Sequence, residues 1–256
     1  MNVRPPTLCL ALTGFLLATS AANAAPFSFS TGTPDGRIAL ASRPTSGGGE
    51  EIETGDDFVL ATTTAITSAT FTGLLTGNVS LADIGLLRVE IYRVFPKDSD
   101  TTRVIHVPTR MNSPSDVAFD TRDSADGTLQ FTITVLNPDF AVINSVIDGI
   151  HPSPDQATKG DGPAEGQEVR VDVVMDPPLD LPADHYFFVP QVRLQGRGGN
   201  FLWLSAPRPP LAFVGDLQMW IRNADLDPDW LRVGTDIVDD ATPPTFNGSF
   251  SLSAAP

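Results

Sequence analysis

LPADHYFFVPQVRLQ, residues 181–195, is the densest run of strand-forming apolar residues beyond the first twenty positions. Four large apolar side chains follow one another at 186–189, the texture of a strand covered on both faces. Phe188, Pro190, Val192 and Leu194 then alternate with Gln191, Arg193 and Gln195, as in a strand with one wet face. The stretch therefore predicts a central strand that emerges toward solvent. Pro190 has no N–H to give to a ladder, which places it at a bulge or where the neighbouring strand has ended.

Working outward, Val169, Val171, Val173 and Met175 alternate with Arg170 and Asp172, and Pro177-Pro178 is expected to close that strand. Beyond the central strand lie 201–204, 217–221 and a last strand in which Phe246, Gly248, Phe250 and Leu252 face inward. Residues 51–60, 65–75, 86–95 and 128–136 carry the same period of two, with shorter apolar segments at 27–29 and 37–41. In 86–95, Val89 and Ile91 alternate with Arg88 and Glu90, but Val94 falls on the wrong face, which predicts a bulge at Tyr92-Arg93. Ser80-Leu81-Ala82-Asp83 reads as one capped helical turn. Asn137-Pro138-Asp139, followed by Phe140, Ile143 and Ile147 at helical spacing, predicts the single short helix. Residues 148–167 form a long polar connection, and the glycines at 47–49, after Ser46, lack the Gly-Lys-Ser/Thr sequel of a phosphate loop. The helical period is nearly absent elsewhere and no internal repeat is visible, which argues against parallel α/β folds, propellers and solenoids. The expected fold is all-β: an antiparallel, jelly-roll-like β-sandwich with one short helix, one domain over residues 25–256.

Residues 1–24 have the layout of a secretory signal: Arg4, an apolar run over 8–17, and small residues ending Ala22-Asn23-Ala24. That run is too short to cross a bilayer, and nothing later reaches eighteen consecutive apolar residues, so no transmembrane segment is expected. The only cysteine, Cys9, lies inside this segment, so the exported chain has no disulfide and must rely on core burial. The expected location is periplasmic or extracellular. A formal charge of −15 disfavours nucleic acid and anionic membrane surfaces as partners and permits a bound cation.

GDDFVLATTTAITSATFTGLL at 55–75, with VEIYRVFP at 89–96, resembles a group of uncharacterised exported bacterial β-sandwich proteins, some of which carry a C-terminal PEP-CTERM sorting anchor. The resemblance is firmest over 50–100. It implies an exported sandwich and supplies no catalytic residue. Residues 253–256, SAAP, lack an apolar tail and basic end, so sorting of that kind is not expected.

Several residue groups could carry chemistry. Asp225, Asp227 and Asp229 form D-x-D-x-D and Asp236 falls at the twelfth position, the oxygen spacing of a calcium loop. Trp230 stands where that loop needs glycine and Pro228 stiffens it, so the competing reading is a helix start at Asp227-Pro228-Asp229. Trp203, Trp220 and Trp230 all lie in the last quarter of the chain. Exposed on a sandwich face they would stack on sugars, with Trp220, flanked by Gln218 and Arg222, the best placed; burial is the alternative. His106, His151 and His185 have no tight metal spacing, and Asp184-His185 with Ser205 lacks the elbow of a serine hydrolase. Glu53 and Asp57, four apart on a strand, share a face and would act together or pair with Arg88 or Arg93. Lys97, Arg103, His106 and Arg110 form a basic connection suited to an anion or to ion pairs with acidic loops. The expected function is a non-enzymatic exported module that binds glycan or extracellular matrix or serves as a surface structural component, with calcium as the cofactor to test. The alternative is a carbohydrate-active hydrolase or lyase, which requires a concave pocket where two acids converge.

Overall fold

In the computed structural model, residues 1, 26–45, 50–150, 157–196, 198–208, 215–239 and 245–254 are described. The expected signal segment therefore lies outside the described residues save for Met1, as do His151 and the run Ser46-Gly47-Gly48-Gly49. The strands are β1 (Ser28–Ser30), β2 (Ile38–Ala41), β3 (Ile52–Leu60), β4 (Thr64–Thr76), β5 (Ile84–Arg93), β6 (Asp120–Asp123), β7 (Leu129–Val142) and β8 (Asn144–Val146). They continue with β9 (Ala164–Leu181), β10 (Asp184–Leu194), β11 (Phe201–Ala206), β12 (Trp220–Asn223), β13 (Leu231–Arg232), β14 (Asn247–Gly248) and β15 (Phe250–Ser253).

These strands make two sheets. Six strands run in the order β13-β12-β3-β10-β5-β6, all antiparallel, and nine form the second sheet around β4. One edge of β4 pairs with β9, which carries β7 beyond it; the other edge is shared by β15 and β11. The one parallel pair among the named strands is β2 with β8. Successive strands repeatedly cross from one sheet to the other, as from β3 to β4 to β5 and from β9 to β10 to β11 to β12, so the fold is an all-β sandwich of the expected class. No helix among the described residues is long and apolar enough to cross a membrane.

The core follows from the period of two. Val169, Val171 and Val173 of β9 meet Phe188 and Tyr186 of β10 and Phe71 of β4 in one buried cluster. Phe188 stacks on Phe250 with ring centroids 5.1 Å apart and meets Trp203 edge-on at 6.1 Å, so aromatic contacts tie the sheets together. Gly73 lets this happen: a Cβ there would sit 2.1 Å from the Phe201 ring, which packs edge-on against Phe71.

β10 is central, as its sequence predicts, and the run at 186–189 is buried on both faces for a specific reason. Tyr186 and Phe188 face the core between the sheets, whereas Phe187 and Val189 join Tyr92, Trp220 and Trp230 in a second apolar cluster on the opposite face. The connection over residues 94–119 folds across that face, and Val94 and Ala118 pack on the cluster. Pro190 sits where pairing with β3 has ended after Phe188 opposite Asp56. There Ser42 takes over: its hydroxyl donates to the Pro190 carbonyl at 2.5 Å, and its own carbonyl accepts the Val192 N–H at 3.0 Å.

Three local expectations are corrected. Residues 137–147 are not a helix; β7 continues to Val142 by pairing with β9 through register shifts at Asn137 and Phe140, and β8 follows. Eleven residues of β9 pair with β7 in a ladder that outcompetes an isolated turn, and Asn137 spends its side chain on the Asp139 N–H at 3.0 Å. Pro177-Pro178 does not end its strand, because β9 shifts register against β4 beyond Val174 and resumes at Leu179. No bulge falls at Tyr92-Arg93: β5 pairs regularly with β10 there, and its irregularity lies near Ile84. Val94 is apolar because the outer face has its own cluster. The turn at Leu81–Asp83 forms as expected, with the Asp83 carboxylate accepting the Ser80 N–H at 2.7 Å.

Candidate functional site

Arg88, Glu90 and Tyr92 project from the outer face of the six-stranded sheet because they alternate along β5 with the core residues Leu87, Val89 and Ile91. Strand register then aligns polar groups across that face. Arg222 of β12 is opposite Glu53 of β3, and Gln191 of β10 is opposite Arg88, which is in turn opposite Asp123 of β6. A cation–carboxylate pair on β12 and β3 and an amide–cation–carboxylate row on β10, β5 and β6 thus share this face. This is the cross-strand pairing that stabilises a sheet.

The centre of the row is tightly bonded. Arg222 Nε is salt-bridged to Glu53 Oε2, and the Tyr92 hydroxyl donates to Glu53 Oε1 at 2.6 Å while accepting from Arg222 Nη2 at 3.0 Å. The same hydroxyl lies 3.3 Å from Glu90 Oε2. The guanidinium of Arg222 stacks 4.3 Å from the centroid of the Trp230 ring, and Asp227 caps it from the rim at 2.9 Å. Above these groups opens a recess of about 270 Å³, edged by Glu51, Arg88, Asn223 and Asp227. Burial first, and then the neighbouring Glu53 carboxylate, push the Glu90 carboxyl up to about 8, so at neutral pH it holds its proton and both gives and accepts hydrogen bonds. Burial raises the Tyr92 hydroxyl as well.

Two acids thus converge in a concave pocket, as the hydrolase alternative demands. Yet Glu90 and Glu53 are within hydrogen-bonding reach of one another, closer than the roughly 5–10 Å that glycosidase carboxyl pairs leave for the glycosidic oxygen or water. Both oxygens of Glu53 are also committed, to Arg222 and Tyr92. The Glu53–Glu90 pair by itself therefore offers a proton donor without a free base.

A second recess of about 470 Å³ lies at the start of β12, between Leu217, Gln218 and Trp220 on one side and Pro108, Met111 and Asn112 of the long connection on the other. Here two buried polar atoms have no hydrogen-bond partner: Trp220 Nε1 and Gln218 Oε1. Each such orphan costs about 1–3 kcal/mol. Gln218 also holds a φ of 40°, an uncommon conformation for a side chain of its kind.

The residues singled out in the sequence fare differently. Trp203, Trp220 and Trp230 are all buried, at 0, 1 and 1 % exposure, so none offers a flat ring to a sugar. Trp203 donates to the Ser249 carbonyl and Trp230 to that of Ser115, as buried indoles do. The aspartates at 225, 227, 229 and 236 do not gather. Asp225 is exposed, Asp227 pairs with Arg222, and Asp229 is buried against Arg103 while accepting the His106 N–H at 2.9 Å. Asp236 receives Arg232 at 2.7 Å. A polar loop that calcium would organise is organised by arginine instead, and no cluster of three or more metal-binding side chains occurs among the described residues. Melting in excess chelator is expected to leave the midpoint unchanged; a drop of several degrees would return a metal to the 225–236 loop.

The basic connection resolves into ion pairs: Lys97 with Asp184, Arg103 and Arg110 with Asp116. His185 Nε2 lies 2.6 Å from Asp57, whereas Ser205 is in the other sheet and donates to Asp35, so Asp184, His185 and Ser205 form no triad. Glu53 and Asp57 do share the outer face of β3, but their partners are Arg222 and His185, not Arg88 or Arg93. Arg88 pairs with Asp123 and Arg93 with Asp98. The sequence does show Arg88, Glu90 and Tyr92 at spacing two; it cannot show that Glu53 and Arg222, 169 residues apart, are opposite. Comparisons with models of known protein families, with curated proteins and with solved structures find no match to this chain.

Proposed function

We propose that the protein is an exported, non-enzymatic β-sandwich module that holds a saccharide unit of a glycan or matrix polymer in the Glu90 recess, by hydrogen bonds rather than by aromatic stacking. The observation that carries this reading is a protonated Glu90 beside Arg88, Glu51 and Asn223 in a recess of sugar-ring size, since neutral hydroxyls are recognised by just such donor and acceptor groups. The signal-like leader and the resemblance of residues 50–100 to exported sandwich proteins support the location. Titration of a panel of neutral oligosaccharides is the test. Glu90→Gln, which keeps the shape of the protonated acid, is expected to bind as wild type does, and Arg88→Ala to bind about tenfold more weakly. Binding to no glycan, or loss of binding in Glu90→Gln alone, overturns the reading.

The alternative of a carbohydrate-active hydrolase or lyase draws on one observation, the contrast between a salt-bridged Glu53 and a proton-holding Glu90. It is separated by the same variant. A hydrolase loses turnover in Glu90→Gln, read as new reducing ends, whereas a binder shows none in either form.

A further inference from the structure

β7 is the exception among the edges of the two sheets. The other edge strands among the described residues are β1, β6, β8, β13 and β14, and each has only two to four residues. Edges that short give another chain little backbone to pair with. β7 runs for 14 residues; β9 occupies one side of it, and no described strand pairs with the other. The usual guards against edge pairing stand only at its ends. Asp126 precedes it, and Pro138, Asp139 and the register shifts at Asn137 and Phe140 interrupt it later. Between them, residues 128–136, TLQFTITVL, contain no charge, proline or glycine, and the pairing with β9 is regular from Leu129 to Val135. Phe131 and Ile133 pack on the core but are only partly buried, and Val135 and Leu136 are exposed. A long, flat, uncharged edge of this composition is a template for another strand.

We infer that this edge is the interface between two copies of the chain, joined β7 to β7 in antiparallel fashion about a two-fold axis at Thr132. The stretch is complementary to itself. About Thr132, Phe131 falls opposite Ile133, Gln130 opposite Thr134 and Leu129 opposite Val135, so aromatic, β-branched and polar groups meet in sheet-stabilising pairs and no like charges are opposed. The register keeps 129, 131, 133 and 135 on one face, so each copy covers the partly buried Phe131 and Ile133 of the other. Charge also selects a second copy. A chain of formal charge −15 repels its own copies over most of its surface, and an uncharged edge is where two of them can approach; a basic partner has nothing to hold there. Because no other described edge is long, pairing closes at two copies and builds no fibre. The interface uses none of the residues around Glu90, and stands whether or not that recess binds sugar.

Sedimentation equilibrium on the purified protein is the test. One strand pair is a small interface, so a dimer that dissociates in the micromolar range is expected, populated at about 100 µM and lost at about 0.1 µM. Raising the salt from about 0.05 to about 0.5 M should tighten it, because the two bodies carry like charge. Gln130 and Thr134 are exposed, so substitutions there spare the core. Gln130→Lys with Thr134→Lys sets two pairs of like charges face to face and is expected to weaken the dimer about tenfold. Gln130→Lys with Thr134→Glu sets the same positions as two opposite-charge pairs and is expected to dimerise at least as well as wild type. Damage to the strand itself would weaken both double variants alike, so their contrast reads the register. A monomer at about 100 µM, growth beyond a dimer, a dimer that salt dissolves, or equal affinity in the two double variants would each overturn the assignment.

Discussion

Raising the pH from about 5 to about 9 will lower the melting temperature of this protein, and Glu90→Gln will remove much of that fall. The sign follows from linkage. Glu90 titrates at its ordinary value of 4.5 in the unfolded chain and at about 8 in the folded one, so between those values the folded state holds a proton that the unfolded state has lost. Stability is therefore fully present below pH 4.5 and is lost as the pH climbs through about 8. At about 1.4 kcal/mol per unit of difference, the loss amounts to several kcal/mol. Asp56 acts in the same direction. It is fully buried between the sheets, one oxygen accepts the Gly248 N–H at 2.8 Å, and burial followed by the charge of Asp57 pushes it well above its ordinary value. At the acid end the sign reverses. Asp116 and Asp184, lowered by bonds to Arg103, Arg110 and Lys97, lose their contribution only below their ordinary range. Stability should thus peak near pH 4–5, and Glu90→Gln should be more stable than wild type above pH 8. A melting temperature that is level or rising from pH 5 to 9, or an unchanged slope in the variant, would remove the buried proton from the account.

The second large effect concerns Arg222. Its side chain is 6 % exposed, bonds Glu53 and Tyr92, and stacks on Trp230. Arg222→Met keeps most of the volume but strands Glu53 in a buried site, and breaking such a pair costs about 3–5 kcal/mol. Adding Glu53→Leu removes the stranded charge, so the double variant is expected to recover most of the loss, since paired replacement by apolar residues is often near neutral. Denaturant unfolding of the four proteins in the cycle measures this. If the double variant is as unstable as the sum of the singles, the two residues are not coupled and the polar row across the sheet is incidental.

The strands were legible because burial on one face writes a period of two into the sequence, and the alternation at 169–175 maps directly onto β9. The run at 186–189 was legible as covered on both faces, whereas Val94 looks irregular to a reader who assumes one buried face and becomes regular once a connection covers the other. Asn137-Pro138-Asp139 carries genuine helix-start chemistry, yet a neighbouring strand offered more backbone bonds than the turn did. The tryptophans cluster in sequence because that part of the chain supplies both cores. The candidate site was half visible: β5 displays its polar trio, but the partners on β3 and β12 depend on register, which spacing along the chain does not encode.

β15 lies between β1 and β4, and Phe250 stacks in the middle of the aromatic core. The first and last strands described are thus zipped to each other, and one edge of β4 waits for a partner more than 170 residues away in the chain. Assembly of this kind is slow, because distant segments must meet before any reward is collected. Until residues 246–253 have docked, the aromatic interior around Phe250 stays open on one side, so a chain shortened ahead of them is expected to be unable to close its core.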